Sequence, residues 1–191
     1  MSKKGKLIVY TGASGVGKGT IMKMLLDRDD TIRLSVSATT RPPRPGEENG
    51  REYYFVTEDE FNKMIKNDDF LEYEPYCENL YGTPRKAVED MLNQGLNVML
   101  EIEVKGGLQV IEKCPDCTSI FIIPPSMEEL ERRLRGRGTE PEDVILQRLE
   151  TAKTEMTFKD RYKYVVLNDD AEKAAEEVLN IIHSEGNTTI N

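Results

Sequence analysis

Short apolar runs alternate with stretches of helical period along most of the chain. Lys6–Thr11, Asn97–Ile102, Ser119–Ile123 and Tyr164–Leu167 are apolar on both faces, a pattern that predicts buried strands of a parallel sheet. Between them the apolar positions recur every three or four residues. Ile21, Met24 and Leu25 form one such stripe after Gly17, and Ala171, Ala174, Ala175, Val178, Ile181 and Ile182 form another between about Asp170 and His183. Strand and helix in turn argue for an α/β fold. Helix starts are marked by Thr57 to Glu60, Ser126 to Glu129 and Thr139 to Glu142, each fitting a capping box, and by Pro84 at an expected first helical position. The tail after Gly186 is expected to fray.

Two stretches break the alternation. From Ser37 to about Thr83 the chain is rich in Pro, Gly, Tyr and Arg, with strand candidates at Tyr53–Val56 and Phe70–Tyr76, which predicts an inserted α+β subdomain. Ser126 to about Phe158 reads as a highly charged helical pair carrying Arg132, Arg133, Arg135, Arg137 and Arg148, in the manner of a mobile lid.

Composition narrows the class. The 191 residues, 38% hydrophobic and 32% charged, suit one globular domain, and no apolar run approaches the roughly 20 residues of a membrane span. The N-terminal Met-Ser-Lys-Lys-Gly-Lys lacks the features of a secretory signal, so a cytoplasmic chain is expected. A formal net charge of −9 disfavours unspecific nucleic-acid binding while leaving room for small anions held by local clusters. Cys77, Cys114 and Cys117 are too few and too unevenly spaced for a disulfide framework. Cys114-Pro-Asp-Cys117 is either a metal half-site or redox pair, or a turn of small residues; with no second cysteine pair, the turn is favoured.

Candidate chemistry begins at Gly12-Ala13-Ser14-Gly15-Val16-Gly17-Lys18, set between a predicted strand and a predicted helix. Glycines let backbone N–H groups curl around an oxyanion, the helix N-terminus adds partial positive charge, and Lys18 supplies a compact cation. Where many phosphate loops place a hydroxyl that ligates Mg²⁺, this chain has Gly19, followed by Thr20. Any metal would then rely on phosphate oxygens, water, Thr20 or distant carboxylates. A second anion site is suggested by Ser37-Ala-Thr-Thr-Arg41-Pro-Pro-Arg44-Pro-Gly, where prolines stiffen a loop holding two arginines, with Tyr53 beyond it.

The Lys-Gly-Thr loop is similar to that of nucleoside monophosphate kinases. The Ser37–Phe55 stretch, Phe70-Leu-Glu72-Tyr, Asn79-Leu-Tyr81-Gly-Thr83, Glu101-Ile-Glu103, Arg135-Gly-Arg137-Gly and Asn168-Asp-Asp together resemble guanylate kinase, in order and approximate spacing from about Lys6 to His183. The resemblance implies a P-loop three-layer α/β fold with a five-stranded parallel core sheet (1–36, 84–125 and 159–191), a GMP-binding subdomain (37–83) and a helical lid (126–158). It implies transfer of the γ-phosphoryl group of ATP to GMP, with dGMP as a further acceptor, and Mg²⁺ as cofactor.

Residue by residue, the resemblance assigns ATP to Gly12 through Thr20 and to Asn168, beside the adenine ring. It assigns the GMP phosphate to Arg41, Arg44, Tyr53 and Tyr81, and the guanine to Ser37, Glu72 and Thr83. A carboxylate at Glu72 suits guanine, whose N1–H and N2 amine are adjacent donors, and opposes adenine, which has an acceptor at N1. Glu101 is implied on the sugar or amine side of GMP and Glu103 beside Mg²⁺, although Lys105 departs from the family's glutamine and either acid suits equally a partner of Arg41 or Lys18. Arg137 and Arg148 resemble the lid arginines that approach the donor phosphates and, with Lys18 and Arg44, form the implied catalytic set. Arg135 is a nearby rival, and Arg132 and Arg133 read as surface or ion-pairing residues. Interaction modules with this likeness bind phosphorylated partners without catalysis, but they usually have a damaged loop; this one is intact.

Overall fold

Every residue of β1 (Leu7–Gly12) is buried, because its side chains feed two cores in alternation. Ile8 and Tyr10 point into one, with Ile21, Leu25, Val178 and Ile182; Leu7 and Val9 point into the other, with Val88, Leu92, Val104 and Val110. A computed structural model describes residues 4–136, 138 and 140–186. Its helices are α1 (Lys18–Arg28), α2 (Glu58–Lys66), α3 (Arg85–Asn93), α4 (Val104–Lys113), α5 (Met127–Gly136), α6 (Glu142–Met156) and α7 (Ala171–Ser184). The two-sided burial of β1 makes a three-layer sandwich, with α1 and α7 on one face of the main sheet and α3 and α4 on the other.

The main sheet contains five strands, all parallel, in the order β2-β7-β1-β8-β9, where β2 is Ile32–Leu34, β7 Asn97–Glu101, β8 Thr118–Ile123 and β9 Tyr164–Leu167. Central β1 lies between β7 and β8, so its carboxyl end opens where the strand order reverses, the usual ligand edge of such sheets. Four of these strands match the apolar runs. β2 does not: three residues with a central arginine make no pattern.

The stretch after Ser37 folds as a second sheet, β4-β3-β6-β5, from β3 (Ser37–Thr39), β4 (Tyr53–Phe55), β5 (Phe70–Tyr76) and β6 (Asn79–Pro84). A small core of Ala38, Phe61 and Phe70 holds it, with the Phe61 and Phe70 rings stacked 4.4 Å apart. Leu71 points the other way into the α3–α4 core and ties this sheet to the body. A two-residue turn closes the β5–β6 hairpin, with Cys77 (φ 45°) and Glu78 (φ 64°) both left-handed, as a tight hairpin demands.

The caps differ in part from expectation. Thr57 and Glu60 form the full capping box of α2. Ser126 accepts from the Glu129 amide at 3.1 Å, but the Glu129 carboxylate turns to Arg132 and Arg133, so that box is half made. α6 starts at Glu142 with Pro141 as N-cap, and Glu142 pairs with Arg135; Thr139, from which a box was expected, lies outside the described residues. Pro84 is the N-cap of α3, one position earlier than expected, because β6 continues into it. The helical pair α5–α6 buries Leu130, Leu134, Ile145 and Leu149 in the α1-side core, so its charged surface is only the outer half of two docked helices. Cys114 and Cys117 are buried free thiols in a turn closed by a 3.0 Å bond from the Cys117 amide to the Cys114 carbonyl. The tail beyond Gly186 lies outside the described residues.

Candidate active site

The turn after β1 carries three left-handed glycines or near neighbours of that region, and two of them explain its shape. Gly15 (φ +82°) lies so close to α5 that a Cβ there would sit 2.6 Å from Leu134 Cδ2; at Gly17 (φ +97°) it would sit 2.9 Å from Asn168 Nδ2. The loop is thereby wedged between α5 and the end of β9. Asn168, nearly fully buried, donates through Nδ2 to the Val16 carbonyl at 2.7 Å and braces the loop from behind. Tyr10 Oη donates to the Lys18 carbonyl at 3.2 Å, and Lys18 Nζ folds back on the Gly12 carbonyl at 2.8 Å, closing the loop on itself. Gly19 and Thr20 are exposed in the first turn of α1.

Carboxylates gather around Lys18. Glu101 ends β7, and burial pushes its carboxyl up, an effect that Lys18 partly offsets. β7 stops there, so Glu103 enters as the N-cap of α4 and not, as strand alternation suggested, from the same strand face. Glu155 of α6 accepts a 2.7 Å bond from the Ser14 amide, and burial raises its carboxyl against the opposing pull of Lys18 and Arg148. Arg148, two turns earlier on α6, reaches Ser14 Oγ at 3.3 Å and Glu140 at 2.8 Å. Beside the loop a cleft of about 460 Å³ is lined by Gly15, Gly17, Thr20, Arg132, Arg133 and Asn168, among others.

Across α4 lies a second polar cluster. Glu72 of β5 is buried and accepts at Oε1 from Thr83 Oγ1 of β6 at 2.6 Å; burial pushes its carboxyl up to about 6. Its other side lies against Gly106 in the first turn of α4. Ser37 stands in the same sheet on β3, in register with Tyr53. Arg41 forms a two-pronged pair with Glu47, at 2.9 and 3.0 Å, while its guanidinium lies 5.5 Å from the centre of the Tyr53 ring and 5.7 Å from that of Phe55. Glu47 also accepts from the Arg44 amide at 2.7 Å, which holds the proline loop in a tight turn with the Arg44 side chain exposed. The rings of Tyr53 and Tyr81 meet edge to face at 5.8 Å.

A sequence model of the family described as guanylate kinase matches residues 4–185. The chain belongs to the guanylate kinase family. A curated guanylate kinase of Lactococcus lactis is 50% identical over 185 residues, covering 97% of this chain and 90% of its own. One from a Synechococcus strain is 49% identical over 180 residues, 94% of this chain and 83% of that one. Among solved structures, guanylate kinase from Anaplasma phagocytophilum superposes with a TM-score of 0.72 at 35% identity, covering 96% of this chain and 87% of its own.

For this member of the guanylate kinase family, the expected site residues fall into two groups joined by α4. Gly12–Thr20, Asn168, Glu101, Glu103 and Arg148 surround the main-sheet edge; Ser37, Arg41, Arg44, Tyr53, Glu72, Tyr81 and Thr83 belong to the second sheet and its loop. Arg137 lies outside the described residues. Arg135 pairs with Glu131 and Glu142. Glu155, Glu47, Arg132 and Arg133 were not singled out for the site from sequence. The two arginines do form ion pairs, as expected, both with Glu129, and they also line the cleft beside the loop.

Proposed function

We propose that this chain transfers the γ-phosphoryl group of ATP to GMP, and to dGMP, giving ADP and the corresponding diphosphate. The observation that carries the reading is 50% identity over 97% of the chain to a curated guanylate kinase. The donor triphosphate lies on the Gly12–Thr20 loop, whose amides and helix N-terminus favour an anion, with Lys18 leaving the Gly12 carbonyl for its phosphates. The purine of ATP occupies the cleft between Asn168 and Arg132–Arg133. The acceptor's phosphate takes Arg41, Arg44, Tyr53 and Tyr81, displacing the Glu47 carboxylate that stands in for it on Arg41. Guanine N1–H and the N2 amine donate to Glu72, with Ser37 and Thr83 completing the base site and Glu101 beside it.

Phosphoryl transfer needs little acid–base chemistry and much positioning of charge. Arg148 and Arg137 bring guanidinium groups to the transferring oxygens, and Leu134 against Gly15 couples movement of α5 to the loop. Closing α5–α6 and the second sheet over both nucleotides excludes water, which would otherwise accept the phosphoryl group. The donor set suits Mg²⁺: Thr20, Glu101 and Glu103 offer hard oxygens, and Mg²⁺ usually takes one or two of these with waters and phosphate oxygens. When bound, the ion offsets charge on the phosphates; Thr20 and Glu103 are the residues that would hold it or its waters.

The test is ADP release with GMP, dGMP, AMP, UMP and a sugar phosphate as acceptors. GMP and dGMP are expected to turn over at least a hundredfold better than AMP, because adenine would set its N1 lone pair against the buried Glu72 carboxylate and offer it none of the donors that guanine supplies. Preference for AMP, or no transfer to any acceptor, refutes the proposal.

A further inference from the structure

Helix α4 carries Gly106 and Gly107 in its first half, two of the poorest helix formers where alanine would serve the helix better. The two glycines face different neighbours. A Cβ on Gly107 would meet Tyr162 Oη at 2.5 Å, Thr11 Cγ2 at 2.9 Å and Val9 Cγ1 at 3.3 Å, all in the packed interior, so its absence is a packing requirement. The three atoms nearest to a Cβ on Gly106 would all belong to Glu72, with Oε2 at 2.7 Å, Cδ at 3.2 Å and Cγ at 3.5 Å. The first distance is shorter than real Cβ contacts allow, so an alanine would displace the carboxylate. That displacement is easy for the fold, since a carboxylate is the mobile end of its side chain. It is not easy for a group whose Oε1 must keep its 2.6 Å bond to Thr83.

We propose that Gly106 is a specificity-positioning residue: by lacking a side chain it leaves room for the Glu72 carboxylate to stand at the height where it reads the two adjacent N–H donors of a guanine. This rests on the function proposed above, with Glu72 as the base-reading group. Gly106 touches no substrate and acts through Glu72. A glycine here has no helix rationale, and among the described residues Glu72 supplies the atoms nearest to the place a side chain would take.

The test is a double-mutant cycle on the full chain, using Gly106→Ala, Glu72→Asp and the pair, with GMP and inosine monophosphate as acceptors. Inosine monophosphate keeps N1–H and lacks the 2-amine, so the ratio of the two kcat/KM values reports guanine reading and not general integrity. Gly106→Ala alone is expected to raise KM for GMP at least tenfold, to reduce the GMP to inosine monophosphate preference at least fivefold, and to leave the melting temperature no lower than that of the wild type. An aspartate is one methylene shorter and withdraws its carboxylate from the new methyl group. Adding Gly106→Ala to the Glu72→Asp chain should therefore change KM less than twofold. Equal cost in both backgrounds, or an unchanged acceptor preference in Gly106→Ala, overturns the proposal, as does a Gly106→Ala chain that fails to fold both alone and with Glu72→Asp. Failure of the underlying reading looks different. In that case the wild type shows no preference for GMP, or Glu72→Asp itself leaves the preference unchanged.

Discussion

The Ser14 amide donates to Glu155 Oε2 at 2.7 Å, while Ser14 Oγ receives Arg148 Nε at 3.3 Å, so one helix holds a single loop residue at two atoms. Residues 148 and 155 are two turns apart and share a face of α6. The grip fixes the loop to the helix that carries Arg148. Glu155→Ala leaves the Ser14 amide without its charged acceptor and is expected to lower unfolding free energy by about 2 kcal/mol, whereas Glu155→Gln, which keeps an acceptor, should cost less than about 1 kcal/mol. Urea midpoints of the three chains decide it. Equal midpoints for wild type and Glu155→Ala would mean that the bond contributes nothing to the fold.

Glu72 links stability and recognition to pH. Burial pushes its carboxyl from 4.5 to about 6, so the folded chain holds that proton more tightly than the unfolded one. The sign follows: the contribution is fully present below pH 4.5 and is lost as pH rises through about 6, a change of about 2 kcal/mol. Urea unfolding at pH 4.5 and pH 7 should show this loss as the difference between wild type and Glu72→Gln, in which other titrations cancel. GMP, on the proposed reading, requires the ionised form. Its affinity relative to that of the Glu72→Gln chain should therefore fall as pH drops below about 6. A difference that is flat with pH would remove Glu72 from base recognition.

Much of this arrangement was legible because its signals are local. β1 and the loop after it combine an unbroken apolar run with glycines and lysine at fixed spacing, and the second sheet announced itself by Tyr53–Val56 and Phe70–Tyr76. The five-stranded sheet was expected by resemblance, yet β2 left no trace in the pattern, since one buried Ile32 is followed by an exposed Arg33 and an exposed Leu34. The hairpin turn at Cys77-Glu78 lacks the Asn-Gly signature that usually marks two left-handed residues. Ser14 and Glu155 are 141 positions apart, and Gly106 meets Glu72 across two elements. Contacts of that kind follow from the packing of finished elements, and no local periodicity encodes them.

The three cysteines should separate cleanly by reactivity. Cys77 is exposed at the hairpin turn; Cys114 and Cys117 are buried, and burial pushes the Cys117 thiol up to about 12 and raises Cys114 as well. Only thiolate attacks a disulfide reagent, so at pH 8 the buried pair has both poor access and very little reactive form. One equivalent is expected to react quickly in the native chain and two more only on adding denaturant. Three fast equivalents would show that the turn at 114–117 opens readily, and would reopen its reading as a redox pair.

Gly19 poses a sharper question, because many phosphate loops carry a hydroxyl there. Steric demand does not explain the glycine: a Cβ at position 19 would meet nothing within 4 Å, and no left-handed φ is required. Serine is also the better residue within a helix, by roughly 0.5 kcal/mol. Gly19→Ser is therefore expected to fold with unchanged or slightly higher stability. If Mg²⁺ in the native chain relies on phosphate oxygens, waters and the neighbouring Thr20, the added hydroxyl supplies one more hard ligand. The Mg²⁺ concentration for half-maximal transfer should then fall about threefold, with the limiting rate changed little. Titrating Mg²⁺ at fixed ATP and GMP checks this in wild type, Gly19→Ser and Thr20→Ala. A Thr20→Ala chain with unaltered Mg²⁺ dependence would remove Thr20 from the metal's surroundings, and a Gly19→Ser chain with unaltered dependence would show that position 19 does not face the ion.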